Sequence, residues 1–227
     1  MALNETLKKI INIGTALPTS GTTGVPKRIF QPPHKLQAAN SIARQVQDIT
    51  INSRILTVCT LKHAGGLLAQ TLPAVEVNAD VDVQKFNPYS WVRQITDYTH
   101  SHLTPDMARA VMKTRGFDTL NLSGITVMCG SDRVHSSIIT SFIDRGATFI
   151  TNWGMTEVGP VAINQTFNPG DTVKTTETIM GNCAYCDVKI ENDQLFVRGD
   201  ICVYDDWFAT GDLVTYNNGV YYYLGRI

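Results

Sequence analysis

Charge is what this chain has least of. Asp, Glu, Lys and Arg make up 17% of its 227 residues, against about a quarter in ordinary soluble proteins. Neither sign is in excess, since 19 Lys+Arg against 20 Asp+Glu leave a net charge of -1. A chain without a basic surplus lacks the electrostatic footprint of a nucleic-acid or anionic-membrane binder. The hydrophobic share of 43% excludes a disordered chain, and so little charge implies a surface that is partly covered in use. No apolar run is long enough to span a bilayer. Met1–Ile13, which carries Glu5, Lys8 and Lys9, lacks the apolar core and cleavage site of a signal peptide. The five cysteines (Cys59, Cys129, Cys183, Cys186 and Cys202) are odd in number and irregular in spacing. They do not form a disulfide framework, so a reducing cytoplasm is the expected location.

What is present is enough chain for one large domain or two modest ones. After a short N-terminal segment, Pro18–Lys27 is a loop rich in Thr, Ser and Gly, and Arg28–Phe30 reads as a brief strand. Leu36, Ala39, Ala43 and Val46 recur at helical spacing, which predicts an amphipathic helix over His34–Asp48. Strands are expected at Arg54–Thr60, Ala74–Val83, Ile125–Cys129 and Thr148–Asn152. Helices are expected at Ala64–Leu72, from Pro88 to Tyr98, after the Thr104-Pro105 cap, and at Ser136–Arg145. This alternation predicts an α/β fold with a largely parallel sheet over residues 1–168. Residues 169–227 read as a small β-subdomain of short strands only: Cys186–Glu191, Gln194–Arg198, Ile201–Tyr204, Asp212–Tyr216 and Val220–Leu224. Asn192-Asp193 and Asn217-Asn218-Gly219 mark hairpin turns within it.

The most informative stretch is Thr19-Ser20-Gly21-Thr22-Thr23-Gly24-Val25-Pro26-Lys27. Hydroxyls and glycine N–H groups can surround phosphate oxygens while a lysine supplies positive charge. It is not a Walker A loop, which needs Gly-Lys-Ser/Thr in sequence. The nine-residue string resembles the phosphate-binding signature of the adenylate-forming superfamily of acyl- and aryl-CoA synthetases, luciferases and nonribosomal adenylation domains. Three further motifs follow in the family's order: Asn152-Trp153-Gly154-Met155-Thr156-Glu157, Trp207-Phe208-Ala209-Thr210-Gly211-Asp212 and Tyr223-Leu224-Gly225-Arg226. Lys62-His63-Ala64-Gly65, Gly130-Ser131-Asp132 and Val197-Arg198-Gly199 are weaker matches.

The resemblance implies an ATP-dependent, carboxylate-activating ligase core of acyl-CoA synthetase type. It uses ATP and Mg²⁺, with CoA as a possible acceptor and a small organic carboxylate as substrate. The o-succinylbenzoate–CoA ligase branch is favoured because its members are compact. Ser20, Thr22, Thr23 and Lys27, with the backbone at Gly21 and Gly24, would hold the β- and γ-phosphates. Thr156 would bond the α-phosphate, and Glu157 would hold the metal. Trp153, in place of the more usual Tyr, would lie against adenine. Asp212 and Arg226 would hold the ribose. Gly130 and Ser131 would sit beside adenine or the acyl group, with Met155 also on the substrate side and His63 near the carboxylate entrance.

Against the family's pattern, the chain is expected to be truncated at both ends. A long segment normally precedes the phosphate loop, and a mobile C-terminal domain, bearing a lysine that contacts the reacting carboxylate, follows the Gly-Arg hinge. Lys27 is not that lysine. The expectation is weak activity alone, with a homodimer or a complementing chain covering the exposed face. The alternatives are a non-catalytic nucleotide-binding remnant, or an interaction protein forming one half of a split ligase. Other tempting residues read more simply. Cys183 and Cys186 have metal-ligand spacing but no second pair. His100-Ser101-His102 reads as an alternating strand end, Asp205-Asp206 as a solvated turn, and Tyr221–Tyr223 as strand composition.

Overall fold

The computed structural model describes residues 2–19 and 27–227. Ser20, Gly21, Thr22, Thr23 and Gly24 of the phosphate-loop reading lie outside the described residues. The chain opens on a helix, α1 (Ala2–Ile13), that the sequence reading left unassigned. Leu7 and Ile11, four residues apart, form its buried stripe and pack with Leu36, Leu68, Leu72 and Val75. Strands β1 (Thr15–Pro18) and β2 (Arg28–Gln31) form an antiparallel hairpin, with Pro18 opposite Arg28. Helix α2 (Pro33–Gln47) follows, close to the predicted span, with Pro33 at its first position and left-handed Asp48 closing it.

The central sheet has seven strands. Five are β3 (Arg54–Thr57), β4 (Asp80–Val83), β5 (His100–Leu103), β6 (Thr126–Gly130) and β7 (Thr148–Met155). They are mutually parallel, in the order β4-β3-β5-β6-β7. β8 (Gly159–Phe167) turns back antiparallel to β7, and the two-residue β10 (Cys183–Ala184) pairs with β8. Helices α3 (Ala64–Gly66) and α4 (Leu72–Glu76) flank a π-helical turn, Leu67–Thr71, and pack on one face with α2. Helices α5 (Pro88–Gln94), α6 (Pro105–Met112) and α7 (Ser136–Ile143) pack on the other, where Trp91, Phe117, Phe142 and Phe149 form the densest core. The Thr104 hydroxyl caps α6, accepting from the Met107 N–H at 3.3 Å, as its place before Pro105 predicts.

Five antiparallel strands make the second sheet, in the order β11-β12-β13-β14-β9. They are β9 (Thr178–Gly181), β11 (Asp187–Glu191), β12 (Gln194–Arg198), β13 (Phe208–Asn217) and β14 (Val220–Arg226). Its inner residues Leu195, Val197 and Val214 pack against Trp153, Val158 and Ile163 of the first sheet region. The Asn192-Asp193 turn is left-handed at both residues, with φ of 49° and 62°, as the hairpin reading requires.

Two expected strands are corrected. Ala74–Val83 is not one strand: Ala74 and Val75 belong to α4, which ends at Glu76, and only Asp80–Val83 is extended. Apolar residues buried against α1 and α2 gave that stretch its alternating look. Ile201–Tyr204 forms turns and bends, held by Cys202 N–H to Gly199 O at 3.0 Å and Val203 N–H to Glu157 O at 2.8 Å. His100–Leu103 is a central strand with all four residues buried, not an alternating end. Among the described residues no helix is long and apolar enough to cross a membrane.

Candidate active site

The site lies beyond the C-terminal ends of the parallel strands, where open α/β sheets place ligands. A cleft of about 530 Å³ runs from the β1–β2 hairpin, through the end of β7, to the ends of β5 and β3. A smaller cavity of about 230 Å³ adjoins it, sharing Ser131, Asn152, Gly154, Met155 and Arg226.

Each strand that serves these cavities departs from regular pairing there. On β7 the register slips between Trp153 and Met155, so Gly154 sits in a bulge. A Cβ at Gly154 would stand 2.2 Å from Gly159 O, so only glycine allows the two strands to approach. Thr156-Glu157-Val158 then makes a tight turn into β8, closed by Gly159 at a φ of 92°. The turn is tied down from two sides: Gln31 on β2 donates its amide N–H to Thr156 O, and Val203 N–H bonds Glu157 O. The side chains of Thr156 and Glu157 line the large cleft with Thr19 and Lys27 of the hairpin ends.

Thr210-Gly211-Asp212 is a second bulge, with Gly211 at a φ of 76° and a register shift against β12. Thr210 Oγ1 donates to Leu195 O at 2.8 Å and accepts from Asp212 N–H at 3.0 Å. This turns the Asp212 carboxylate toward the first sheet. There Trp153 Nε1–H donates to its Oδ2 at 2.9 Å, while Arg226 Nη1 stands 3.7 Å from Oδ1. Arg226 Nη2 also donates to Thr210 O at 3.3 Å. Burial pushes the Asp212 carboxyl above its ordinary value, opposed by the Trp153 hydrogen bond and by Arg226.

The other end of the large cleft, at β5 and β3, is lined by Cys59, Gly65, Gly66, His102, Thr104 and Met107. Burial holds the Cys59 thiol up at about 12, so it is no nucleophile at neutral pH. His63, exposed at the start of α3, lines the same cleft.

The structure thus gathers Lys27, His63, Ser131, Met155, Thr156, Glu157 and Arg226 around one cleft. Trp153 and Asp212 line the smaller cavity beside it. Gly130 lines neither; a Cβ there would meet Asn152 O at 2.3 Å, so it allows β6 to approach β7 closely. Gln31, Thr210 and His102 were not singled out as site residues from sequence. Thr210 lay inside a quoted motif, whereas Gln31 reaches Thr156 across 125 residues of chain and carries no local signal.

The arrangement is an anion-receiving cleft joined to a carboxylate–guanidinium–indole clamp, the parts a nucleotide-handling site needs. Residues 13–211 match the family described as AMP-binding enzyme. The chain belongs to the AMP-binding enzyme family. The indoleacetate–CoA ligase of Aromatoleum aromaticum is 27% identical over 226 residues, which cover 86% of this chain and 44% of that enzyme. The chain spans less than half the length of such curated relatives. An inhibitor-bound N-terminal domain of FACL13 from Mycobacterium tuberculosis superposes with a TM-score of 0.80 at 16% identity, over 93% of this chain and 60% of that one. The AMP complex of o-succinylbenzoate coenzyme A synthetase from Bacillus subtilis gives 0.78 at 22% identity, over 93% and 49%. These likenesses match the mixed α/β fold with its mostly parallel sheet and β-rich partner sheet.

Proposed function

We propose that this chain is the adenylate-forming part of an acyl-CoA ligase, binding ATP with Mg²⁺ and a small organic carboxylate. The observation that carries the reading is the Trp153–Asp212–Arg226 cluster opening beside Lys27, Thr156 and Glu157. A carboxylate acylates poorly by itself. In the proposed reaction a carboxylate oxygen attacks the α-phosphorus, the bond to pyrophosphate breaks, and an acyl-adenylate forms. Asp212 and Arg226 hold the ribose, Thr156 donates to the α-phosphate, and Lys27 faces the leaving phosphates. A thiol such as that of CoA then takes the acyl group in the complete ligase, as the name of the indoleacetate–CoA ligase relative supports.

The residues fit a divalent cation only together with nucleotide. Glu157 is the one acidic residue lining the large cleft, and among the described residues no three His, Cys, Asp or Glu converge. One carboxylate plus substrate phosphates is the donor set Mg²⁺ accepts. There the cation neutralises phosphate charge, while Glu157 fixes its place.

Calorimetric titration of the chain with AMP and with ATP·Mg²⁺ tests the reading. Both should bind and raise the melting temperature. Absence of heat and of thermal shift at millimolar concentrations of both nucleotides would overturn it.

A further inference from the structure

His102 stands apart from the parts used so far. Its side chain lines the cleft, yet the residue is only 3% exposed. Ring atom Nδ1 lies 3.0 Å from Gly65 O. A carbonyl only accepts, so Nδ1 carries the proton and Nε2 keeps a free lone pair. That Nε2 is buried and has no hydrogen-bond partner among the described residues. Burial pushes the imidazole down to about 4, so the ring is neutral at physiological pH and Nε2 is an acceptor. A buried acceptor without a donor is costly and rare in a native fold.

The sheet places this acceptor at a definite remove from the reacting end. Thr156 and Glu157 follow β7, and His102 is on β5, with β6 between them. Adjacent strands lie about 4.8 Å apart, so the two positions are separated by roughly 10 Å. That matches an aromatic ring with a short linker. The walls at this end are the Cys59 and Met107 sulfurs, 3.7 Å apart, and the backbone of Gly65. A Cβ at Gly65 would come within 2.8 Å of Ser131 Oγ and 3.3 Å of His102 Cε1, so glycine keeps the passage open.

We propose that His102 sets substrate specificity: its Nε2 accepts a hydrogen bond from a hydroxyl or ring N–H at the far end of a compact, largely aromatic carboxylate. This deepens the ligase reading and rests on it. A site that pairs a buried polar group with the substrate rejects analogues that lack the matching group. An acid with no distal donor leaves Nε2 unpaired, and a long alkyl tail meets the sulfur-lined wall.

The test uses non-hydrolysable acyl-sulfamoyl adenosines on the 227-residue chain, which report binding without turnover. The acyl groups are benzoyl, phenylacetyl and 3-phenylpropanoyl, each with a para-hydroxyl or a para-methoxy substituent. Methoxy keeps an oxygen but cannot donate. At the length that reaches His102, the hydroxyl compound should bind roughly tenfold or more tightly than its methoxy twin. His102→Leu should erase that gap, and His102→Gln, which retains an acceptor, should restore part of it. Equal affinity within every pair on the wild-type chain overturns the inference, whether or not the variants fold. If AMP binds while the pairs are equal, only this inference falls. If neither AMP nor any adenosine mimic binds, the ligase reading itself falls.

Discussion

The two ends of the nucleotide site are built differently. At the ribose end, the Asp212 carboxylate already has Trp153 on one oxygen and Arg226 near the other, and its backbone is fixed by Thr210. At the phosphate end, the side chains of Lys27 and Glu157 have no hydrogen-bond or ion-pair partner among the described residues, although the peptide beneath Glu157 is held by Gln31 and Val203. The first end is assembled before any ligand arrives. The second holds its backbone still and leaves its charges unmatched. A preformed clamp costs little reorganisation on binding, whereas unmatched charges gain most from a ligand that brings the opposite sign. The ribose end should therefore set affinity for every adenosine compound, and the phosphate end should set selectivity among them.

The most severe way to break this contrast is at Gly154, which lies between the two ends. Gly154→Ala forces a Cβ against backbone atoms, and the expected loss is about 3 kcal/mol of stability, the top of the usual range for overpacking. Chemical denaturation measures it, and nucleotide binding should disappear with it. Asp212→Ala comes next. It removes a charge-assisted acceptor and leaves Trp153 Nε1–H without its partner, so AMP and ATP should weaken together by about 10- to 100-fold in titration calorimetry. Unequal losses would show that the ribose clamp is not shared. Lys27→Ala should weaken ATP by about tenfold and leave AMP within about twofold, because the proposed contacts are to phosphates that AMP lacks. Equal loss for the two ligands would move Lys27 from the phosphates to the nucleoside.

The smallest effect concerns pH. Burial raises the Asp212 carboxyl in the folded chain above its value in the unfolded chain. Between those two values the folded state binds more protons than the unfolded state. Stability from this group therefore falls as pH rises through the window, and at neutral pH the carboxylate is a net cost to the ligand-free fold. Asp212→Asn should melt slightly higher than wild type at pH 7, with the difference shrinking as pH falls toward about 4, where wild-type Asp212 begins to hold its proton. Thermal melts across pH check this, and a widening gap at low pH would contradict it. The same variant should lose nucleotide affinity, so site chemistry and stability oppose each other at this residue.

Local signals carried much of this arrangement. The Leu36–Val46 stripe marked α2, Thr104-Pro105 marked the start of α6, and Asn192-Asp193 marked a hairpin, because each depends on neighbours within a turn or two. The site motifs were legible as strings, but their shapes were not. Nothing in Asn152–Glu157 says that Gly154 forms a bulge, or that the strand runs on to Met155 and turns at Thr156. β8 was missed because Gly159 and Pro160 open it, and proline normally argues against an interior strand. Here Pro160 sits beyond the short stretch where β10 pairs, so its missing N–H costs no ladder bond. α1 did show apolar residues at i and i+4, yet its burial depends on α2 and α4, which follow it in the chain. His102 was read as the end of a strand because its isolation among buried groups appears only when β5 is flanked by β3 and β6.

The Trp153–Asp212 hydrogen bond runs from one sheet to the other, and Arg226, at the end of the last strand, leans on the same carboxylate. A nucleoside seated there is a crosslink between two separately hydrogen-bonded units. Amide exchange in the ligand-free chain should therefore report two openings, one for the parallel sheet and one for the antiparallel sheet. Saturating AMP should merge them, slowing β13 and β14 as much as β7. Loosening the interface anywhere, even far from the phosphates, would then be felt first as lost affinity for adenosine.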